Sequence, residues 1–377
     1  MSLVTATGSD IGAGRLRVGA QRAGPTLAAP LSQLDFELPP SRSATVPPEA
    51  RGISRDQIRL LIARPDAITQ GSFRSLPEHL QAGDLVVVNT SATVPAALEA
   101  RRADGQAVVV HVSGRHPDDD DTWVVELRRF EGTGPFWAAA SNEVLILPGG
   151  ARLTIRGAYP DAQAAHGSRL WQARLDGPVA MGELLDTHGR PITYDYVTGR
   201  WPLATYQPVF ARAPGSAEMA SAGRPFTTEL ITELVATGVT IAPITLHTGV
   251  SSLEAGELPP PEPFSVPAHT ARLVELTRRT GGRVVAVGTT VTRALETVAD
   301  TDGTVRAGEG WTELVLGPAR PARVVTGLVT GWHAPRASHL GLLEAVAGPA
   351  LVRCAYAAAL AGDVLWHEFG DSCLFLP

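Results

Sequence analysis

Residues 283–299 read RVVAVGTTVTRALETVA. After Arg283, the next four are β-branched or small and apolar with no polar alternation, the pattern of a strand buried on both faces. Gly288 then permits a sharp turn with exposed backbone. Thr289 or Thr290 can cap the helix that follows, whose Val291, Leu295 and Val298 share one face. A helix N-terminus with free N–H groups beside two hydroxyls suits a carboxylate or a ribose oxygen. Taken by itself, strand–glycine–threonine–helix is also simply how α/β units turn.

On either side of this stretch the same alternation continues. Helical periods at 227–237, 268–280 and 337–361 separate the apolar runs VTIAPITLH (239–247), RVVAV and RVVTGLVTGW (323–332), and VLWHEFGDSCLFLP closes the chain as a strand. Strands alternating with helices predict an α/β domain with its ligand at the carboxyl ends of the strands. Its N-terminal part holds strands in QIRLLIAR (57–64) and DLVVVNTSATVPAAL (84–98), separated by a short helix in SLPEHLQAGD. Between residues 97 and 178 the pattern changes to AVVVHVS, TWVVELRR, EVLILPGG, ARLTIRGAY and RLWQARL, short β-rich runs divided by Gly, Pro and Asp turns. Such spacing predicts a small antiparallel barrel or sandwich. The expected organisation is an α/β main domain, 33–96 and 179–377, with an inserted β-barrel domain, 97–178, after a flexible Gly/Ala-rich extension, 1–32.

The 377 residues include 32 basic side chains, and all of them are arginine. Without lysine there is no P-loop lysine, Schiff-base lysine or lysine general base. A formal net charge of −6 argues against nucleic-acid binding through bulk electrostatics but allows a local arginine-lined groove. Two cysteines, Cys354 and Cys373, make neither a disulfide framework nor a four-ligand zinc site, which favours buried thiols in a cytoplasmic protein. The ten histidines show no metal-ligand spacing, so no metal is expected. No apolar run has membrane-spanning length, and the N-terminus has no secretory h-region. The acidic run 118–121 reads as a solvated hairpin loop.

Candidate chemistry follows the strands. Asn89 and Thr90 end DLVVV, His247 and Thr248 end IAPITL, and Thr289, Thr290 and Arg293 follow VVAV. Trp332 and His333 follow the penultimate strand, and Asp371 lies in HEFGDSC. Several such ends meeting at one pocket would mark a site. The bland alternatives are a histidine satisfied by a backbone carbonyl and an Arg293–Glu296 pair on a helix surface.

AGDLVVVNTSATVPAAL, YQPVF, PITLHTG, RVVAVGTTVTRALE, VTGWHAP, CAYAAAL and FGDSCLF occur in an order and spacing that resembles the S-adenosylmethionine:tRNA ribosyltransferase-isomerases of queuosine biosynthesis. The resemblance covers residues 33–377, with AVGTT followed by RALE its most specific part, and that family pairs an α/β domain with an inserted barrel. It implies S-adenosylmethionine as a substrate and no metal. The ribosyl moiety would be transferred and isomerised onto the aminomethyl group of a 7-deazaguanine in tRNA, forming an epoxycyclopentanediol as adenine and methionine leave. That chemistry needs a base, hydrogen bonds to the departing purine and an anion site. Matched by position, His247, His333 and Arg293 are the catalytic candidates, and Asn89, Thr90, Gly288, Thr289, Thr290 and Asp371 the binding ones.

The chain departs from the family pattern at NTSATVPAAL, where two arginines are missing, and at ASAGRPF, where Arg224 and Pro225 replace the leucine and histidine of the family. The histidine-rich motif expected after LHTG is also missing, with Glu262 alone near its place. Losses of this kind loosen the hold on an anionic tRNA backbone. Two alternatives therefore stand beside tRNA modification. One is use of S-adenosylmethionine on a small-molecule acceptor, or its rearrangement or cleavage. The other is cofactor binding without catalysis.

Overall fold

The computed structural model describes residues 32, 34–130, 134–160, 169–251 and 257–377. The expected extension lies outside them except for Ser32, whose hydroxyl donates to Glu344 at 2.9 Å. The fold is mixed α/β. In chain order the first elements are β1 (Arg59–Ala63), β2 (Ile68–Ser72), α1 (Leu76–His79), β3 (Leu85–Asn89) and β4 (Ser91–Thr93). Next come β5 (Ala97–Arg101), β6 (Ala107–His116), β7 (Asp119–Arg129), β8 (Val144–Ile146), β9 (Arg152–Tyr159) and β10 (Leu170–Asp176). The chain continues through α2 (Met181–His188), β11 (Ala213–Ser216), α3 (Thr228–Ala236), β12 (Thr240–Leu246), β13 (Glu262–Val266) and α4 (Ala268–Arg279). It ends with β14 (Val284–Val287), α5 (Thr289–Thr297), β15 (Gly308–Thr312), β16 (Gly327–Gly331), α6 (Ser338–Ala347), α7 (Pro349–Ala361) and β17 (Ser372–Phe375).

Nine strands form the main sheet in the order β15-β13-β12-β3-β14-β16-β17-β1-β2. Its centre is parallel: β3 pairs in parallel with β12 and β14, and β14 with β16. Because successive side chains alternate between faces, Leu85 and Val87 of β3 enter one core while Val86 and Val88 enter the other. Helices α4 to α7 cover the first face through residues such as Val274, Leu295, Leu343 and Tyr356. Helix α3 covers the second through Leu230 and Leu234, alongside Phe73 and Phe226, whose rings meet edge-on at 5.1 Å.

Strands β5 to β10 pair cyclically, β10-β7-β6-β5-β8-β9, and close into a barrel. Val110, Leu127, Leu153 and Trp171 fill it, with Met181 and Leu184 of α2 in the same cluster.

Several details differ from the sequence-based expectations. The helical pattern at 337–361 breaks at Gly348, where φ is +78°, into α6 and α7 bent by 118°. No single helix among the described residues is long and apolar enough to cross a membrane. Asp119, Asp120 and Asp121 belong to strand β7 and are exposed, so the hairpin turn is tighter than a four-residue acidic loop. Of the two thiols expected to be buried, Cys373 is, but Cys354 stands exposed on α7; both are free.

Candidate functional site

The parallel register places the carboxyl ends of β12, β14 and β16 along one edge of the sheet, and a cleft of about 250 Å³ opens there. Its walls include Thr248–Ser251 after β12, Gly288–Thr290 after β14, and Trp332 and His333 after β16. This is the place an open α/β sheet reserves for ligands.

At the start of α5 the capping residue is Gly288, with φ +96° and ψ 162°, and no side chain caps the helix. Thr289 and Thr290 are its first helical residues, not its caps. A Cβ at position 288 would sit 3.3 Å from the Cβ of Ala222, so the turn also permits a close approach. The Gly288 N–H donates to Val329 O at 2.8 Å, tying the turn to β16.

Arg293, one turn further along α5, lines the cleft but is 5% exposed. Its Nη1 pairs with Glu262, its Nε donates to Leu314 O at 3.1 Å, and its Nη2 donates to Pro260 O and Thr312 O, both at 3.2 Å. Glu296 makes no pair with it. Instead the Glu296 carboxylate accepts the backbone N–H groups of Arg323, Val324 and Val325. The helix face holding both residues is buried, so the surface ion pair considered from the sequence does not form.

His333 stacks on His339 with ring centres 4.5 Å apart, and its Nε2 lies 3.1 Å from Thr330 Oγ1. Burial, reinforced by the neighbouring His339 and His367, holds His333 well below the usual imidazole range. Burial also pushes His339 and His367 down to about 4. All three rings are therefore neutral at pH 7, and a neutral imidazole can accept a proton.

The structure thus gathers Gly288, Thr289, Thr290, Arg293 and His333 around one cleft. The remaining candidates brace its edges. Asn89 holds β12 by donating to Leu246 O at 2.8 Å and accepting Leu246 N–H at 3.0 Å, and its Nδ2 lies 3.4 Å from Thr290 Oγ1. Thr90 bonds Ile244 O at 2.9 Å. Nδ1 of His247 lies 2.7 Å from Ser91 Oγ, and the ring fills the space a side chain on Gly215 would take, 2.6 Å from its would-be Cβ. Asp371 accepts the N–H groups of Arg59 and Leu365, both at 2.8 Å, joining β1 to the closing segment.

Sequence reasoning passed over another part of the lining, which carries Tyr194, Tyr196, Glu218, His367 and Glu368. Tyr196 stacks on His367 at 4.1 Å and on Tyr194 at 6.1 Å. The Tyr194 hydroxyl and the Ser251 hydroxyl donate to Glu218, which also accepts Ser251 N–H at 2.8 Å. Burial raises Glu218 above the usual carboxylate range and pushes Glu368 up to about 8. Two signals in the sequence marked this wall: the alternating tyrosines of TYDYV and the charged pair HE inside an otherwise apolar closing segment.

Behind Tyr194, the barrel contributes a buried charge cluster. Glu126, fully buried, is met by His111, Arg128 and Arg169, and Arg128 lies over the Tyr194 ring at 5.2 Å. Among the described residues, no group of three or more His, Cys, Asp or Glu side chains is placed to hold a metal ion.

Residues 31–375 match the family model described as queuosine biosynthesis protein. An S-adenosylmethionine:tRNA ribosyltransferase-isomerase from Symbiobacterium thermophilum is 35% identical over 92% of this chain and 99% of its own length. One of the same name from Geobacter sulfurreducens is 31% identical over 91% of this chain and 98% of its own. The crystal structure of an S-adenosylmethionine tRNA ribosyltransferase from Thermotoga maritima aligns with a TM-score of 0.50 at 28% identity, covering 91% of this chain and 99% of that one. With a family match that runs nearly end to end and relatives of this identity along almost their whole length, the chain belongs to the queuosine biosynthesis protein family.

Proposed function

We propose that this chain is an S-adenosylmethionine-dependent ribosyltransferase-isomerase that acts on tRNA, releasing adenine and methionine as the ribosyl moiety is transferred and isomerised. One observation carries the reading. In a chain of this family, an uncapped helix N-terminus and a neutral histidine line one cleft at the carboxyl edge of the sheet. The names of the full-length relatives include tRNA, which favours it over a small-molecule acceptor or a binding protein without catalysis.

In this reading the Gly288–Thr290 turn receives the methionine carboxylate or ribose hydroxyls through backbone N–H and threonine hydroxyl groups. His333, neutral and braced by Thr330, takes the proton that must leave the substrate. Arg293 contributes indirectly: by clamping Glu262 and the carbonyls of residues 260, 312 and 314 it fixes the wall from which the cleft is shaped. Asn89, Thr90, His247 and Asp371 position the strand ends. A smaller cleft shares Ser221, Gly331, His367 and Glu368 with the main one and is bordered by Arg55 and Arg224, both paired with Glu49. Residues 97–178 act as a separate inserted domain, and the protein works in the cytoplasm.

The test is calorimetric binding of S-adenosylmethionine followed by mass spectrometry of adenine and methionine with and without substrate tRNA. Binding together with tRNA-dependent release is expected. Release that ignores tRNA would overturn the acceptor, and absence of binding would overturn the whole reading.

A further inference from the structure

The buried carboxylates elsewhere in the fold show how this chain treats them. Glu126 is met by Arg128 and Arg169, Glu262 by Arg293, and Asp84 by Arg283 at 2.5 Å. Each of these has its cation, whereas Glu296 and Asp371, buried without one, have both oxygens taken by backbone N–H groups. Among the described residues, the two carboxylates of the Tyr194–Glu368 wall have no cation in contact. Glu218 is satisfied by neutral donors alone, the Tyr194 and Ser251 hydroxyls and the Ser251 N–H. Glu368 is hydrogen-bonded by the Tyr196 hydroxyl, and its Oε2, shielded from solvent, has no partner among the described residues. The charge of Glu218 opposes ionisation of Glu368, and Tyr206 and His367 are the other titratable groups nearby.

The arginines bordering this end are already engaged. Arg224 donates to Thr205 O and pairs with Glu49 at 2.8 Å, and Arg55 pairs with Glu49 and donates to Gln207 O. A second buried polar atom in the wall of the same cleft is also without a partner: Nε1 of Trp332, a residue only 2% exposed. Buried polar atoms are normally satisfied, and a cleft that holds an open acceptor and an open donor is built to be completed by a ligand.

We propose that Glu218 and Glu368 form a subsite for a primary ammonium group of a substrate. An ammonium supplies the N–H that Glu368 Oε2 lacks and the positive charge that two neighbouring carboxylates require. A sulfonium centre would supply charge but no N–H, leaving the open oxygen unsatisfied. The inference rests on the reading above that this cleft receives the substrates. Two ammonium sources fit that reading, the amino group of S-adenosylmethionine and an aminomethyl group on the acceptor base.

Proton linkage tests it without turnover. Empty, Glu368 keeps its proton at pH 7; when an ammonium arrives the carboxyl ionises and close to one proton leaves. Wild-type protein is titrated in two buffers of different ionisation enthalpy with S-adenosylmethionine, with 7-aminomethyl-7-deazaguanine, and with the 7-methyl analogue as control. One amine-bearing ligand is expected to release close to one proton, and Glu368→Gln to abolish that release and weaken the same ligand roughly tenfold or more. Release with S-adenosylmethionine assigns the subsite to its amino group; release with the aminomethyl base, absent with the methyl control, assigns it to the acceptor. No release with either ligand, no binding of either, or undiminished affinity in Glu368→Gln overturns the proposal. Should Glu368→Gln fail to fold, the wild-type release still decides. Failure of tRNA-dependent adenine release in protein that shows the proton release would sink the functional reading alone.

Discussion

Replacing Arg293 with alanine removes a buried guanidinium that answers Glu262 and three carbonyls, those of Pro260, Thr312 and Leu314. The partners stay behind in a site where Glu262 is 8% exposed. Burial already raises Glu262 above the usual carboxylate range even with Arg293 present, so without it the carboxylate has to take up a proton or open the wall to water. Breaking a buried pair by removing one partner costs about 3–5 kcal/mol. At roughly 2 °C per kcal/mol for a chain of this size, the thermal midpoint should fall by roughly 6–10 °C. A paired variant, Arg293→Met with Glu262→Leu, removes both charges and should recover most of the loss, because an apolar replacement of a buried pair is often close to neutral. Urea unfolding of wild type, single and double variants reads this directly. A single variant as stable as wild type that has lost S-adenosylmethionine affinity would refute the reasoning and make Arg293 a ligand-binding group.

Three further outcomes are expected. Gly288→Ala forces a side chain into a backbone region nearly reserved for glycine and against Ala222; a cost of about 1–3 kcal/mol and weaker S-adenosylmethionine binding should appear together in thermal shift and calorimetry. Glu368, raised to about 8 in the fold from an ordinary carboxylate value when unfolded, favours the folded state fully at low pH, and that advantage fades as pH rises toward 8. The stability of wild type relative to Glu368→Gln should therefore fall between about pH 4.5 and 8, by at most about 5 kcal/mol, and a flat difference would contradict the assignment. Glu126→Ala takes the shared carboxylate from Arg128 and Arg169 and leaves them Asp195 and Glu257, so a loss of about 3 kcal/mol, the lower end for a broken buried pair, is expected in urea unfolding.

The α/β alternation was legible because strands such as β3 and β14 are buried on both faces and read as unbroken apolar runs. Strands β13 and β15 were not. EPFSV follows a run of prolines and GEGWT contains two glycines, so both read as loop, and they exist because β13 pairs antiparallel with both β12 and β15, the latter forming the sheet edge. The same contrast holds at the site. Gly288, Thr289 and Thr290 follow their strand directly, so their place at its end could be read locally. Tyr194, Glu218 and Glu368 lie in irregular segments without periodicity, separated by up to 174 positions between Tyr194 and Glu368, and only the closed tertiary structure brings them to one wall. Arg293 was legible as a residue near the turn but not in its partner: Glu262 reaches it across the fold, whereas Glu296, three positions away on the same helix, binds backbone instead.

The central claim is that carbon from S-adenosylmethionine ends on tRNA. Incubating the protein with ribose-labelled S-adenosylmethionine and tRNA bearing the aminomethyl-deazaguanine, then digesting the tRNA and weighing its nucleosides, tests this most directly. The account predicts a labelled, heavier modified nucleoside formed in step with adenine and methionine. Adenine and methionine accumulating while the tRNA nucleosides remain unlabelled would contradict it.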